Sequence, residues 1–163
     1  MTATDDLLRN AEAYAASFDK GDLPLPPGKK VVVLACMDAR LNPYGLLGLA
    51  EGDAHIIRNA GGVVTDDAIR SLAISQRLLG TEEIILIHHT GCGMLTFTDD
   101  GFKQSVQDEV GIKPPWACEA FSDLDTDLRQ SIARIKSSPF IPRTDSVRGF
   151  VYDVSNGQLR EVS

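Results

Sequence analysis

The sequence predicts an α/β fold: a single domain with a mostly parallel central sheet, four parallel strands plus one antiparallel edge strand, flanked by helices. Two apolar runs, residues 31–35 and 84–87, have the length and β-branched composition of buried strands. A helix-sized segment lies between them, and such a strand–helix–strand unit gives parallel neighbours with a right-handed crossover. An Asn-Gly turn near the C-terminus, Asn156-Gly157, predicts the antiparallel edge.

The N-terminal segment is predicted to form a helix over residues 4–20, followed by a proline-rich linker that ends at Gly28. Thr4 is a suitable N-cap, and Asp5 and Asp6 then fall in the first turn, where the helix dipole favours anions. Apolar side chains recur at helical spacing along one stripe: Leu7, Leu8, Ala11, Ala15 and Phe18. This stripe needs a surface that buries it, either on its own domain or on a partner subunit.

The middle of the chain alternates between helix and strand signals. Asn42 and Pro43 begin a short helix that runs to residue 49, because proline is tolerated at an early helix position. A short strand over residues 54–58 comes next. Thr65 caps the crossover helix, which ends at residue 79 because Gly80 follows.

The C-terminal part is predicted to complete the sheet. Cys118 is expected to be a buried free thiol, because cysteine is among the residue types most often buried. The remaining elements are a helix over 93–110, a helix over 122–136, a strand over 147–154, a turn over 155–158 and the antiparallel edge strand over 159–162. The whole of 1–163 is therefore expected to be one domain, with residues 1–28 as its N-terminal helix and linker.

Bulk composition limits the possible partners. The formal net charge of −7 argues against nucleic acid and against an anionic membrane, because both bind basic surfaces. Three cysteines without a disulfide-dense pattern indicate a reducing compartment. No basic, apolar signal segment begins the chain, and no run reaches the roughly 18 apolar residues of a membrane span. We therefore expect a cytoplasmic protein with a small-molecule substrate.

Reactive side chains follow two of the predicted strands. Cys36, Asp38 and Arg40 come after the first strand and share one side if the chain stays extended. His89 and Cys92 end the second, with glycines that allow a tight turn. Parallel strands end at the same sheet edge, so the two groups should meet there. Two cysteines and one histidine suit zinc and leave a fourth position for water or substrate, which predicts a catalytic zinc site.

Two other interpretations of these residues remain open. Taken singly, a cysteine or histidine at a strand end is usually a packed core residue. Alternatively, the zinc is structural and Asp38 closes its coordination shell. Structural zinc ligands usually arrive as local knuckles, whereas a sheet already supplies the scaffold here, which favours the catalytic interpretation.

The spacing of these motifs resembles that of the β-class carbonic anhydrases. The motifs are Cys36-x-Asp38-x-Arg40, then Arg58-Asn59-Ala60-Gly61, then His89-x-x-Cys92-Gly93, and the resemblance covers residues 29–112 and 147–162. It implies zinc-dependent reversible hydration of carbon dioxide to bicarbonate and a proton. The implied zinc ligands are Cys36, His89 and Cys92, with Asp38 and Arg40 as the catalytic pair. It also implies a homodimer or homotetramer with active sites at the subunit interface, and an N-terminal helix that reaches over the neighbouring subunit.

Asp38 is expected to be a conditional fourth zinc ligand. Two thiolates cancel the charge of zinc, so the metal acidifies its water less than a three-histidine site would, and a second hydrogen-bond acceptor becomes useful. Arg40 holds Asp38 off the metal for this role, whereas in acid, where neutral water competes poorly, the carboxylate binds the metal. His88 is a candidate proton relay, although its side chain alternates away from that of His89.

Two other functions are consistent with the same residues. One is a zinc hydrolase of carbon disulfide or carbonyl sulfide, for which the metal ligands would be identical. The other is a non-enzymatic protein that senses zinc or bicarbonate, with Asp38 locked on the metal. Arg40, placed to pair with Asp38, weighs against the sensing protein.

Overall fold

The structure, a computed structural model, describes residues 1–163 and alternates helices with the strands of one sheet. The elements are α1 (Ala3–Ala16), β1 (Val31–Cys36), α2 (Pro43–Leu47), β2 (Ala54–Asn59), α3 (Asp66–Leu79), β3 (Glu83–His89), α4 (Asp99–Val110), α5 (Leu124–Ser137), β4 (Val147–Tyr152) and β5 (Leu159–Val162). Short 3-10 turns, Ala60–Gly62 and Gly93–Leu95, follow β2 and β3. None of the helices combines the length and the apolar character that a membrane span requires.

The strand order is β2-β1-β3-β4-β5. The first four strands are parallel, and β5 runs antiparallel to β4 at the edge. The predicted α/β fold with four parallel strands and one antiparallel edge strand is therefore confirmed. Because β1 and β3 are direct neighbours, with Ala35 beside Ile87, the residues that follow both strands leave the sheet next to each other.

The central strands β1 and β3 are buried on both faces. Side chains of β1 point alternately into two apolar clusters, so that Val32 and Leu34 lie on one face and Val33 and Ala35 on the other. Each fully buried Leu, Ile or Val contributes about 1.5–3 kcal/mol relative to exposure. The first face packs on Leu72 of α3 and Leu128 of α5, and the second on Leu41 and Met94.

The helix α3 has the predicted bounds, and α1 does not. The Thr65 side chain accepts from the Ala68 N–H, and Gly80 ends α3 in the left-handed conformation. The prediction that Thr4 caps the first helix was wrong: Thr2 is the N-cap, and its side chain and the Asp5 carboxylate accept from each other's backbone N–H. Residue Leu7, three after Thr4, could not close such a box. The helix ends at Ala16, before the predicted residue 20.

Further boundaries differ because local caps and turns decide them. The short helix predicted to run to residue 49 ends at Leu47, since Gly48 caps it in the left-handed conformation. The helix predicted within 93–110 spans Asp99–Val110, since Thr98 caps it by accepting from Gly101 N–H. Asp123 caps α5 in the same way, so this helix begins at Leu124. The strand predicted over 147–154 ends at Tyr152, because the hairpin turn already begins at Asp153.

The α1 helix lies apart from the sheet. None of its residues is buried, and Leu8 on its apolar stripe is 58% exposed. Its C-terminal end is held by Tyr14 Oη, which donates to Glu51 at 3.3 Å. The structure therefore shows no surface of the same chain that covers the stripe.

Candidate metal centre

The structure brings together the three predicted soft ligands. Cys36 ends β1, His89 ends β3, and Cys92 lies in the turn that follows, where Gly91 adopts a φ of +62°. One ligand atom of each residue lies within 4.8 Å of the others, and all three residues are buried. Neighbouring parallel strands thus place a histidine and two thiols in one small volume, as their sequence spacing predicts.

His89 is oriented so that one ring nitrogen is free. Its Nδ1 lies 2.8 Å from the Thr90 carbonyl oxygen, which can only accept, so Nδ1 carries the proton and donates. The lone pair is then on Nε2, which is buried and has no hydrogen-bond partner. A buried polar atom without a partner costs about 1–3 kcal/mol. A metal ion bound at Nε2 would satisfy it, so the donor set fits a metal.

The Cys36 and Cys92 sulfurs are hydrogen-bonded to each other, with the proton on Cys92. A hydrogen bond from the Cys92 thiol holds the pKa of Cys36 well below its usual range. The pKa of Cys92 is raised, because its proton is held between the two sulfurs and because it is buried. Metal ligation requires thiolates, and a positive ion would displace the remaining proton.

Asp38 and Arg40 form a forked pair beside the thiols. Arg40 Nε donates to Asp38 Oδ1 at 3.0 Å, Nη2 donates to Oδ2 at 2.8 Å, and the Arg40 backbone N–H donates to Oδ1 at 2.8 Å. Arg40 Nη2 also reaches the Gly91 carbonyl at 3.1 Å. These bonds lower the pKa of Asp38 far below its usual value, so its carboxylate stays ionised. Asp38 Oδ2 lies 3.7 Å from His89 Nε2, next to the candidate metal position.

Sequence reasoning gave no role to Arg58, and it left Gly62 as either a turn residue or part of a backbone that approaches an anion. Arg58 donates to backbone carbonyls of residues 36–41, the segment we call the ligand loop. Gly62 has a φ of +63°, and a Cβ there would lie 2.8 Å from Cys36 N. Arg58 lies near the end of β2 and belongs to the Arg58–Gly61 motif, and Gly62 directly follows that motif. Proximity to the motif was therefore the signal in the sequence that could have identified both residues.

The other two histidines and the third cysteine lie outside this cluster. His88 points away from His89, as alternation predicts, and its Nε2 bonds Asp127 Oδ2 at 2.6 Å on α5. His55 Nδ1 bonds Ser75 Oγ at 2.7 Å. Cys118 was expected to be buried but is only partly so, since it lines an open apolar pocket.

Comparisons with known proteins agree on one family. A family model described as carbonic anhydrase matches residues 31–121. The chain is 61% identical over 163 residues, 100% of this chain and 99% of the relative, to beta-carbonic anhydrase 1 of Mycobacterium tuberculosis. It is 35% identical over 182 residues to carbon disulfide hydrolase of Saccharolobus solfataricus, covering 96% of this chain and 87% of that protein. The solved carbonic anhydrase of Streptococcus mutans superposes with a TM-score of 0.94 at 43% identity, covering 100% of this chain and 99% of that one.

Proposed function

Because the chain belongs to the β-carbonic anhydrase family, we propose that it catalyses the reversible hydration of carbon dioxide to bicarbonate and a proton, with zinc held by Cys36, His89 and Cys92. The observation that carries the zinc proposal is the buried, unpartnered Nε2 of His89 beside two thiols. Thiolate and imidazole ligands favour zinc over magnesium or calcium, which prefer oxygen. When bound, zinc supplies the Lewis acidity that makes water a nucleophile near neutral pH.

Asp38 and Arg40 are proposed to orient the reaction. An ionised carboxylate beside the metal position accepts a hydrogen bond from the attacking water and directs the lone pair of that water toward carbon dioxide. Arg40 grips both carboxylate oxygens and thereby holds Asp38 in this role. With Oδ2 only 3.7 Å from His89 Nε2, Asp38 is also near enough to serve as the conditional fourth ligand once Arg40 releases it.

The active protein is proposed to be a homodimer, or a homotetramer built from such dimers. The support is the uncovered stripe of α1 together with a groove of about 450 Å³ between β2 and α3, which is lined in part by Ile56, Ile74 and Arg70. An acidic, amphipathic helix such as α1 matches an apolar groove with an arginine on its rim. A second copy supplies both surfaces in reciprocal positions, as a two-fold dimer requires.

A reducing compartment, the cytoplasm, is proposed as the location. All three cysteines are free in the structure. Cys36 and Cys92 lie close enough to share a proton, and an oxidising environment would convert them to a form that cannot bind the metal.

Hydrolysis of carbon disulfide is the second candidate. It is favoured by the relative from Saccharolobus solfataricus, which is named for that activity and is 35% identical to this chain. The relative named as a carbonic anhydrase is much more similar, at 61% identity, and supports carbon dioxide as the substrate. Rates measured separately with the two substrates, and competition between them, distinguish the candidates.

A stopped-flow hydration assay with a pH indicator tests the proposal, together with metal analysis of the purified protein. We expect about one zinc per chain, loss of activity on chelation and recovery on addition of zinc. Cys92→Ser should lose the metal, because the thiolate is the ligand. Cys118→Ser is the matched control and should keep both metal and activity. Protein without zinc that gains no activity when zinc is added would contradict the proposal.

A further inference from the structure

The guanidinium of Arg58 is bonded entirely to the backbone of the ligand loop. Its Nε and Nη2 donate to the Cys36 carbonyl at 2.9 and 2.6 Å. Nη2 also donates to the carbonyls of Asp38 and Leu41, at 2.9 and 2.8 Å. Arg58 takes part in none of the ion pairs of the structure, which leaves these three carbonyls as its bonding partners.

The ligand loop has little regular structure to hold it in place. Beyond Cys36, its residues lie in neither helix nor strand. Its own backbone bonds are few: the Met37 N–H donates to Asn59 O at 2.8 Å, and the Leu41 N–H donates to Asp38 O at 3.1 Å. A loop with so few bonds depends on side chains for its conformation.

We infer that Arg58 is a positioning residue that fixes the backbone on both sides of Asp38, and thereby the place of the Asp38–Arg40 pair beside the metal ligands. The carbonyls it holds belong to Cys36, Asp38 and Leu41, so the bonds bracket the catalytic pair. Arg58 lies on β2, and β2 pairs with β1 through Ala35↔Arg58 and Cys36↔Asn59. The sheet thus supplies a rigid base from which the arginine reaches the loop. This role rests on the proposed function, because it acts through Asp38.

Arginine suits this task and lysine does not. The planar guanidinium has five N–H donors in a fixed fork, which allows one side chain to serve three carbonyls in different directions. A lysine ammonium is a compact point charge on a flexible stem, and it would hold fewer of these carbonyls with less defined geometry. Displacement of a catalytic group by about 1 Å costs up to about a hundredfold in rate.

The test compares Arg58→Lys with Arg148→Lys. Arg148 is a matched control, because it is also a strand arginine with a forked hydrogen bond, but its partner is Glu161, at 2.7 Å from both donors. For Arg58→Lys we expect kcat to fall by about tenfold to a hundredfold with KM and zinc content near those of the wild type. Amide hydrogen exchange in residues 37–42 should accelerate by about tenfold or more, with exchange in β3 unchanged. Arg148→Lys should change none of these quantities.

Hydrogen exchange is measured on zinc-loaded and on metal-free protein, so the conformation of the ligand loop is tested independently of catalysis. A wild type without hydration activity would contradict the proposed function but not the positioning role. Unchanged exchange in residues 37–42 of Arg58→Lys would overturn the positioning role, whatever the activity. So would full activity of that variant. If Arg58→Lys does not fold, the same exchange measurement on Arg58→Gln decides, since glutamine retains two amide donors but reaches fewer carbonyls.

Discussion

Replacement of Gly62 by alanine should destabilise the protein far more than its small size suggests. Gly62 has a φ of +63°, in the left-handed region that L side chains rarely adopt. An added Cβ would lie 2.8 Å from Cys36 N, 3.0 Å from Ala35 C and 3.1 Å from Ile87 O. All three atoms belong to the backbone of β1 and β3, the strands that carry the candidate metal ligands, so they cannot move aside as a flexible side chain could.

The magnitude follows from two contributions. A left-handed conformation costs a non-glycine residue about 1–2 kcal/mol, and overpacking of a close-packed region costs about 1–3 kcal/mol. Together they amount to about 2–5 kcal/mol, a large part of the roughly 5–15 kcal/mol that stabilises a typical domain. At about 2–4 °C per kcal/mol for a chain of this size, Tm should fall by about 4–20 °C.

Gly80→Ala is the matched control for this experiment. Gly80 also has a positive φ, +78°, but nothing lies within 4 Å of the position of its Cβ. The free energy of unfolding of Gly80→Ala should therefore fall only by the cost of the left-handed conformation, about 1–2 kcal/mol. Thermal unfolding followed by circular dichroism, with chelator present in every sample, compares the two variants without interference from metal. If Gly62→Ala is no less stable than Gly80→Ala, the steric reasoning is refuted.

Three further changes test other parts of the structure. Arg40→Lys should lower hydration activity by about tenfold or more with zinc retained, because lysine cannot bond both oxygens of its carboxylate partner; a variant with wild-type activity would exclude a catalytic role for that pair. Asp99→Asn should lower stability to urea at pH 7, because the Asp99 carboxylate accepts hydrogen bonds from the backbone N–H groups of residues 118–120. Burial raises the pKa of Asp99, but these hydrogen bonds outweigh the effect of burial, and the pKa is lowered. Because the pKa of Asp99 is lower in the folded than in the unfolded state, its ionised form stabilises the fold above the unfolded pKa of about 3.9, and this stabilisation is lost as pH falls through the folded pKa. The difference in unfolding free energy between Asp99→Asn and wild type should therefore shrink toward pH 2. A difference that stays constant with pH would contradict this reasoning. Leu8→Glu should lower the mass of the proposed dimer in light scattering, whereas Leu25→Glu, in the linker, should not. Equal masses for both variants would argue against α1 as the interface.

Local sequence signals determined most elements and the candidate ligands. The bounds of α3 follow from Thr65 and Gly80, because caps act within one helical turn. Cys36, His89 and Cys92 were found because side chains alternate along strands and parallel strands end at the same edge. These rules depend on the local geometry of helices and strands, which does not vary from one protein to another, so they can be applied to the sequence alone.

Tertiary structure decided which distant groups meet. Arg58 reaches carbonyls 17–22 residues away in sequence, and a backbone carbonyl leaves no mark on the sequence that would identify it as an acceptor. Position 62 requires glycine because the backbones of β1 and β3 approach it, and they do so only in the folded chain. The stripe of α1 was visible in the sequence, whereas only the three-dimensional arrangement shows that its own domain leaves it uncovered. In each case the deciding partner is remote along the chain, and periodicity carries no information about contacts at that separation.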